Sequence, residues 1–325
     1  MKIHTNNKKT DSCNLSYIES YLRESLHAYE YDQYKNYISK DKDAWIEYYF
    51  YKFHNFVNSP ENILFCANSK EGLYILGCRL SSWDRMHFGF AMANISLIYH
   101  PESPSESILL ELANKLLSYL RDESVKFASV RINGDDLIPI NVMEELGFRY
   151  CETVVWPVRP KSALHGNSYQ DIRLMGEKDL ERVMYIASHY QYKRGHFHCD
   201  NNLDQNKVDH LYAKWVKSAF EKNESVVIIE SKGKIAGYFV ANIDNDLSHR
   251  LGFKYGRMKS LALDSSFRGD GLGMRLFQGT IDYLTKAGAQ VIDSGYSTKN
   301  HISAKLHSSN NFYSVYEEVT LHLWL

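Results

Sequence analysis

Arg268, Gly269, Gly271 and Gly273 are the residues whose types and spacing speak most directly of chemistry. They close the run Ser260-Leu-Ala-Leu-Asp-Ser-Ser-Phe-Arg-Gly-Asp-Gly-Leu-Gly273. Alternating glycines remove every second side chain, so successive backbone N–H groups can converge on one concavity. Apolar residues at Leu272, Leu276, Phe277, Ile281 and Leu284 predict an amphipathic helix that opens at this turn. A helix start adds unpaired N–H groups and partial positive charge. Together they suit a pyrophosphate. Two phosphate loops fit poorly. A Walker A loop needs Gly-Lys-Ser/Thr, and here Met274 and Arg275 follow Gly273. A dinucleotide fold needs G-x-G-x-x-G in its first βα turn, whereas this G-x-G-x-G lies in the last quarter of the chain. The plain alternative is a flexible strand-to-helix turn.

The elements that must position this loop are legible around it. A strand from about 256 to 264 leads in, and a second strand from Val291 to Gly295 follows the helix. Asn300, another helix and Asn311-Phe312-Tyr313 close the region. The first half echoes this order. Phe127 begins a strand-like run, Leu137 to Leu146 reads as a helix, and Gly147-Phe148 enters another strand. Phe127 to Phe148 and Val291 to Phe312 each span 21 positions, which points to a duplicated unit. A break at 156–168, with two prolines and a glycine, divides the chain into domains 1–160 and 161–325. The stretch before the first half's long helix, His100 to Ser107, has no glycine, two prolines and two carboxylates. It would repel phosphate, so anion binding is assigned to the second half alone.

The Arg-x-x-Gly-x-Gly turn, with its strand and helix, resembles the coenzyme A loop of the GNAT acyltransferases. The resemblance implies an α/β (α+β) fold of tandem GNAT-like domains, each a mixed, mostly antiparallel central sheet flanked by helices. It implies acyl-CoA as cosubstrate, with acetyl or a short hydroxyacyl group, and no metal. Three further stretches resemble the sugar N-acyltransferases that act on nucleotide-linked amino-deoxysugars. They are Ser82-Trp83-Asp84-Arg-Met-His-Phe88-Gly89, then Gly195 to Asp200 with Leu211 to Trp215, and Asn300 with its helix. The implied acceptor is a dTDP-linked 3- or 4-amino-dideoxysugar for surface polysaccharide. Two other readings stay open: acetylation of a peptide, polyamine or antibiotic amine, and a non-catalytic module that senses coenzyme A.

The same resemblance implies roles. Backbone groups of Leu261, Ala262 and Leu263 would grip the pantetheine arm, one N–H facing the oxyanion. Arg268, Gly269, Asp270, Gly271, Leu272 and Gly273 would hold the pyrophosphate, with Asn300 also on the cofactor. His307 stands where many GNAT enzymes carry the tyrosine that protonates the leaving thiolate, with Tyr296 and Tyr313 in reserve. A histidine can donate near working pH, and a surface histidine with water as the acid is the alternative. His198 is the base candidate, while Asp264 serves either as base or in the turn. His196, Asp200 and Trp83 would contact the acceptor. Trp83 and Phe88 could equally be core aromatics. His196, His198 and Asp200 resemble metal ligands by type, but lack a distant fourth ligand.

Composition sets outer limits. Across 325 residues, 44 % are hydrophobic and 24 % charged, ordinary for a globular protein of two cores. A net charge of −1 gives no case for nucleic acid or an anionic membrane as partner. No run approaches a transmembrane length, and Met1 to Asn14 is polar. Five scattered cysteines without a C-x-x-C pair argue against structural zinc and disulfides, and for the cytoplasm. The apolar Val319 to Leu325 end permits a homodimer through the last strands.

Overall fold

Strands in both halves bury alternate faces against helices, and each half builds its own core. The computed structural model describes residues 2–5, 15–25, 42–161, 164 and 169–325. Cys13, most of the polar start, and residues 162–163 and 165–168 of the expected break lie outside the described residues. The chain divides into two compact units, Met1–Thr153 with Tyr316–Leu325, and Val154–Val315.

The strands of the first half are β1 (Lys2–Thr5), β2 (Asn62–Asn68), β3 (Leu73–Leu80), β4 (Met92–Tyr99), β5 (Phe127–Asn133) and β6 (Arg149–Pro160). Those that follow are β7 (Ile172–Leu174), β8 (Ser225–Ser231), β9 (Lys234–Asp244), β10 (Tyr255–Leu263), β11 (Val291–Ser294), β12 (Tyr296–Ser297) and β13 (Tyr313–Trp324). The helices are α1 (Leu15–Ser25), α2 (Lys42–Asn58), α3 (Ser82–Phe88), α4 (Glu106–Asp122), α5 (Leu137–Glu145) and α6 (Leu180–Tyr190). They continue with α7 (His196–Cys199), α8 (Gln205–Glu221), α9 (Asn245–Leu251), α10 (Leu272–Lys286) and α11 (His301–Ser308).

In the first unit the strand order is β1-β2-β3-β4-β5-β13. Leu109, Leu112, Leu116 and Leu120 of α4 cover one face with Phe65, Leu76 and Val130. Leu22, Phe50 and Phe53 cover Leu64, Cys66 and Ile75 on the other. In the second unit the order is β6-β11-β10-β9-β8-β7, with β12 on β6. There α10 buries Leu276, Phe277, Ile281 and Leu284 on one face, and α6 and α8 cover the other.

The two units repeat one device. β4 runs parallel to β5 only from Met92 to Ile95, and β10 runs parallel to β11 only from Tyr255 to Met258. Immediately afterwards a bulge leaves Ser96 of β4 and Lys259 of β10 unpaired with the antiparallel neighbour. A bulge bends its strand, so each parallel pair diverges beyond it into a wedge. In the first unit, buried His100 and Asp136, which follow β4 and β5, join across the diverging ends. The imidazole donates from Nε2 to Asp136 Oδ2 at 2.8 Å and from Nδ1 to the Pro101 carbonyl at 2.9 Å. Burial opposes the charge, but the Asp136 and Pro101 bonds outweigh it and raise the His100 pKa.

One boundary changes. The break expected near residue 160 falls after Thr153, because β6 continues through Trp156 to Pro160. Pro157 sits between the stretches of β6 that pair with β12 and with β11. The last strand, whose apolar end permits a homodimer, also pairs within the chain: Glu318–Trp324 lies against Phe127–Asn133. Leu321 is fully buried in the α4 core. Leu321→Ala is therefore expected to remove about 2–5 kcal/mol from the first unit. Urea unfolding should show its transition move while that of the second unit stays.

Candidate active site

The open wedge of the second unit is the place where a ligand can join the sheet. Ser260, Leu261, Ala262 and Leu263 pair with β9 on one side, at Val240, Phe239, Tyr238 and Gly237. Their other edge has no partner on β11, whose pairing with β10 stops at Met258–Ser294. An unpaired strand edge presents main-chain donors and acceptors to an extended molecule.

The glycine turn completes the site. Gly269 and Gly271 have φ of +101° and +74°, backbone that side chains rarely tolerate. Gly271 is the N-cap of α10 and supplies no side-chain cap. Arg275 makes the first helical bond, to the Gly271 carbonyl at 3.1 Å, so the amides of Leu272, Gly273 and Met274 have no acceptor within the helix. A Cβ built on Gly269, Gly271 or Gly273 would meet nothing within 4 Å. Amides with no helical acceptor, beside space that no side chain fills, fit the pyrophosphate of coenzyme A. Arg268 behaves otherwise than expected. Its guanidinium folds back onto the Leu263 carbonyl (3.2 Å) and the Tyr190 carbonyl (3.2 Å), fastening the loop to α6. Asp270 is exposed.

Asp264 belongs to the turn. It is buried, accepts from the Ser266 amide and hydroxyl, and pairs with Arg182. Burial alone would raise its pKa, but these bonds outweigh burial and hold it below the usual range, which unsuits it as a base. Asn300 caps α11, accepting from the Ser303 amide at 3.1 Å, so its carbonyl oxygen is occupied within the helix.

His307 is only 3 % exposed. Its ring lies among Phe277, Phe312 and Tyr296, with centroids 4.9, 5.1 and 4.8 Å away. Nδ1–H donates to the Ser303 carbonyl at 2.7 Å, and Nε2 has no hydrogen-bond partner. Burial pushes its pKa down to about 4, the Ser303 bond only partly offsetting it. A neutral imidazole with Nδ1 engaged offers an acceptor at Nε2, not the proton donor expected from the sequence. The depressed pKa has a sign. The folded state keeps His307 neutral, so it gains stability above the unfolded pKa near 6.5 and loses it as pH falls toward 4. Roughly 3 kcal/mol should disappear over that window, and urea titrations of His307→Gln should lack that portion of the slope.

The segment between α6 and α8 is folded as a small wall. His198, its side chain 4 % exposed, donates from Nε2 to Asp209 at 3.0 Å and stacks on Tyr212. Gln191 and Lys193 also bind Asp209, at 2.8 and 2.7 Å. Burial would raise the Asp209 pKa, but Lys193 and His198 together hold it low. His198 Nδ1 is buried and has no hydrogen-bond partner. His196 packs on Phe197, and buried Asp200 accepts from the Asn202 amide at 3.1 Å, shaping a turn. Lys299 reaches Cys199 Sγ at 3.8 Å, so this wall adjoins the loop after β12. Trp83 lies in the first unit, stacked on His87. Tyr313 is exposed.

Sequence reasoning missed the bulge at Lys259 and a buried polar group beside it. Arg257 of β10 lies 3.3 Å from Asp293 of β11 and 3.4 Å from Asp244. No glycine or proline marks that bulge. Asp293 and Arg257 are adjacent only through strand pairing. Among the described residues, no group of three or more His, Cys, Asp or Glu side chains could hold a metal, and no helix is long and apolar enough to cross a membrane.

Residues 186–312, which contain the wedge, the glycine turn and His307, match the model of the Acetyltransferase (GNAT) family. No curated protein matches the sequence. Among solved structures, a GCN5-related N-acetyltransferase from Sphaerobacter thermophilus aligns at 13 % identity over 94 % of this chain and 91 % of that one, with a TM-score of 0.62. A tandem GNAT protein from the clavulanic acid biosynthesis pathway aligns at 11 % identity, covering 99 % of this chain and 98 % of that one, with a TM-score of 0.60. A GCN5-related glucosamine N-acetyltransferase region of a fungal multi-domain GH3 β-N-acetylglucosaminidase aligns at 9 % identity, covering 99 % of this chain and 38 % of that one, with a TM-score of 0.65. At such identities the likeness establishes the fold, which is a tandem GNAT fold. The family match supports an acyl-CoA-dependent N-acyltransferase of GNAT type.

Proposed function

We propose that this protein transfers an acyl group from acyl-CoA to the amine of a dTDP-linked 3- or 4-amino-dideoxysugar, in the cytoplasm, for surface polysaccharide. The observation that carries the transfer is the unpaired edge of Ser260–Leu263 beside an α10 start whose first amides have no acceptor within the helix. The Gly269–Gly273 turn would receive the pyrophosphate, and the Ser260–Leu263 edge would hydrogen-bond the pantetheine amides. The main-chain N–H groups at the bulge would face the oxyanion as the amine attacks. Asn300 would act by fixing α11.

Proton donation to the thiolate passes in this reading to Tyr296, whose ring lies against His307. A thiol with a pKa of about 8.5 makes only a moderate demand on that acid. His307 would accept a donor at Nε2. His198, clamped to Asp209, would fix the acceptor wall together with His196 and Asp200. Exposed Arg194, Lys193 held by Asp209, and the Tyr212–Trp215 pair on α8 would give that wall cationic and aromatic character. Such a surface suits a nucleotide diphosphate better than a polyamine. One structural relative is a GCN5-related glucosamine N-acetyltransferase region, which supports an amino-sugar acceptor in this reading.

The test is free-thiol release from acetyl-CoA and 3-hydroxyacyl-CoAs with dTDP-3-amino and dTDP-4-amino dideoxysugars, glucosamine, spermidine and a lysine peptide. Release with a dTDP-amino sugar alone supports the reading. Release only with spermidine or the peptide would replace the acceptor. Coenzyme A binding without release from any amine would favour a sensor.

A further inference from the structure

The helix α10 packs apolar side chains over one face of the second unit's sheet, and α6 and α8 cover Ala262, Tyr238 and Val240 on the other, beyond the bulge. Successive strand residues alternate between faces, which decides what lies on each. Gly256, Met258 and Ile292 pack toward α10. Arg257 and Asp293 therefore face away from α10, opposite each other in the register and one step before the strands part. Asn242 and Asp244 of β9 share that face, since Ala241 and Ile243 pack toward α10.

The charges there do not cancel. Arg257 lies between two carboxylates, Asp293 at 3.3 Å and Asp244 at 3.4 Å. Lys259, the next cation along β10, is engaged by Glu224 at 2.9 Å. One guanidinium against two carboxylates leaves one negative charge in excess. Asn242, paired with Arg257 in the register, adds a buried carbonyl oxygen with no hydrogen-bond partner. A buried anion and an orphan acceptor call for a cation with N–H donors. Asp293 is the deepest member, its side chain 5 % exposed, whereas those of Arg257 and Asp244 are 27 % and 22 % exposed and open the group to solvent. Burial raises the Asp293 pKa to about 6 despite Arg257 and a Tyr255 hydroxyl bond that lower it, with Asp244 adding to the rise and Lys259 opposing it. A carboxylate so poised is ionised near neutrality yet basic enough to take a proton.

We infer that Asp293, with Arg257 and Asp244 around it, binds the acceptor as an ammonium ion and takes its first proton, directly or through one water. This rests on the proposed transfer to an amine. The ammonium N–H bond breaks toward the Asp293 carboxylate, and the freed nitrogen lone pair attacks the thioester carbon. The C–S bond then breaks, the nitrogen's second proton ends on the coenzyme A sulfur, and Asp293 returns its proton to water. Arg257 acts as a positioning residue.

The test compares two nucleophiles in the full-length protein with acetyl-CoA: ethylamine or a productive amino sugar, which is an ammonium ion at neutral pH, and hydroxylamine, which is not. Asp293→Asn should lower kcat/KM for the ammonium acceptor at least about a hundredfold. The acid limb of its pH profile should vanish, while hydroxylamine turnover and acetyl-CoA affinity stay within about threefold. His198→Asn should keep that limb whatever its rate. Equal losses with both nucleophiles, or an unmoved limb in Asp293→Asn, would overturn the assignment. Turnover of ethylamine but of no sugar sinks the sugar acceptor alone, and ethylamine then decides Asp293. Thiol release with no nucleophile, despite acetyl-CoA binding, refutes both.

Discussion

Replacing Gly273 by aspartate should leave the fold as stable as before, or slightly more so, while weakening acetyl-CoA binding at least about a hundredfold. The two effects have separate origins. Gly273 lies in the first turn of α10, where a Cβ meets no atom within 4 Å, so the side chain enters without a clash. Glycine costs a helix up to about 1 kcal/mol relative to better formers, and an acidic group in the first turn gains about 0.3–1 kcal/mol from the helix dipole. The new carboxylate would nevertheless occupy the cradle and stand against the pyrophosphate. At 4 Å and an effective dielectric of 20, two like charges repel by about 4 kcal/mol, more than a hundredfold loss requires. Thermal unfolding and calorimetric titration with acetyl-CoA read the two halves of the result. Unchanged affinity with an intact fold would remove the pyrophosphate from this turn.

The second large effect is a gain of stability where activity is expected to fall. Asp293→Asn should raise the unfolding free energy at pH 8 by roughly 2–3 kcal/mol, the equivalent of its carboxyl pKa moving from 3.8 to about 6. A raised folded pKa means that the carboxyl helps stability only when protonated. Its contribution is complete below the unfolded value of 3.8 and is lost as pH rises through 6. The variant's advantage should therefore be largest above pH 7 and close below pH 4. Asparagine keeps the shape, and the Tyr255 hydroxyl can turn to meet the amide. Urea unfolding at pH 4, 6 and 8 follows the gap. A destabilised Asp293→Asn at pH 8 would mean that Arg257 neutralises the carboxylate fully.

The sequence disclosed what is local. The glycine turn needs positive φ, and the α10 pattern has a period of its own, so both could be read without a partner strand. The duplicated order was legible for the same reason, although the prolines at 157 and 160 suggested an end to the domain where β6 in fact continues. What stayed hidden depends on pairing. The Lys259 bulge is a one-residue offset against β9, with no residue type that demands it. Arg257 and Asp293 meet only because β10 and β11 align in parallel. His307 was placed correctly on α11, but its burial among three aromatic rings, which reverses its proton chemistry, is set by elements distant in the chain.

The return of β13 to the first unit has a consequence for biogenesis. Phe127 pairs with Trp324, residues separated by 197 positions. As the chain leaves the ribosome, β5 emerges with one edge bare and keeps it bare until the entire second unit has been made. An open strand edge invites pairing with other chains. The unit translated first is thus the one completed last, and cutting the gene between the halves would yield an amino-terminal fragment with a permanently unfinished sheet.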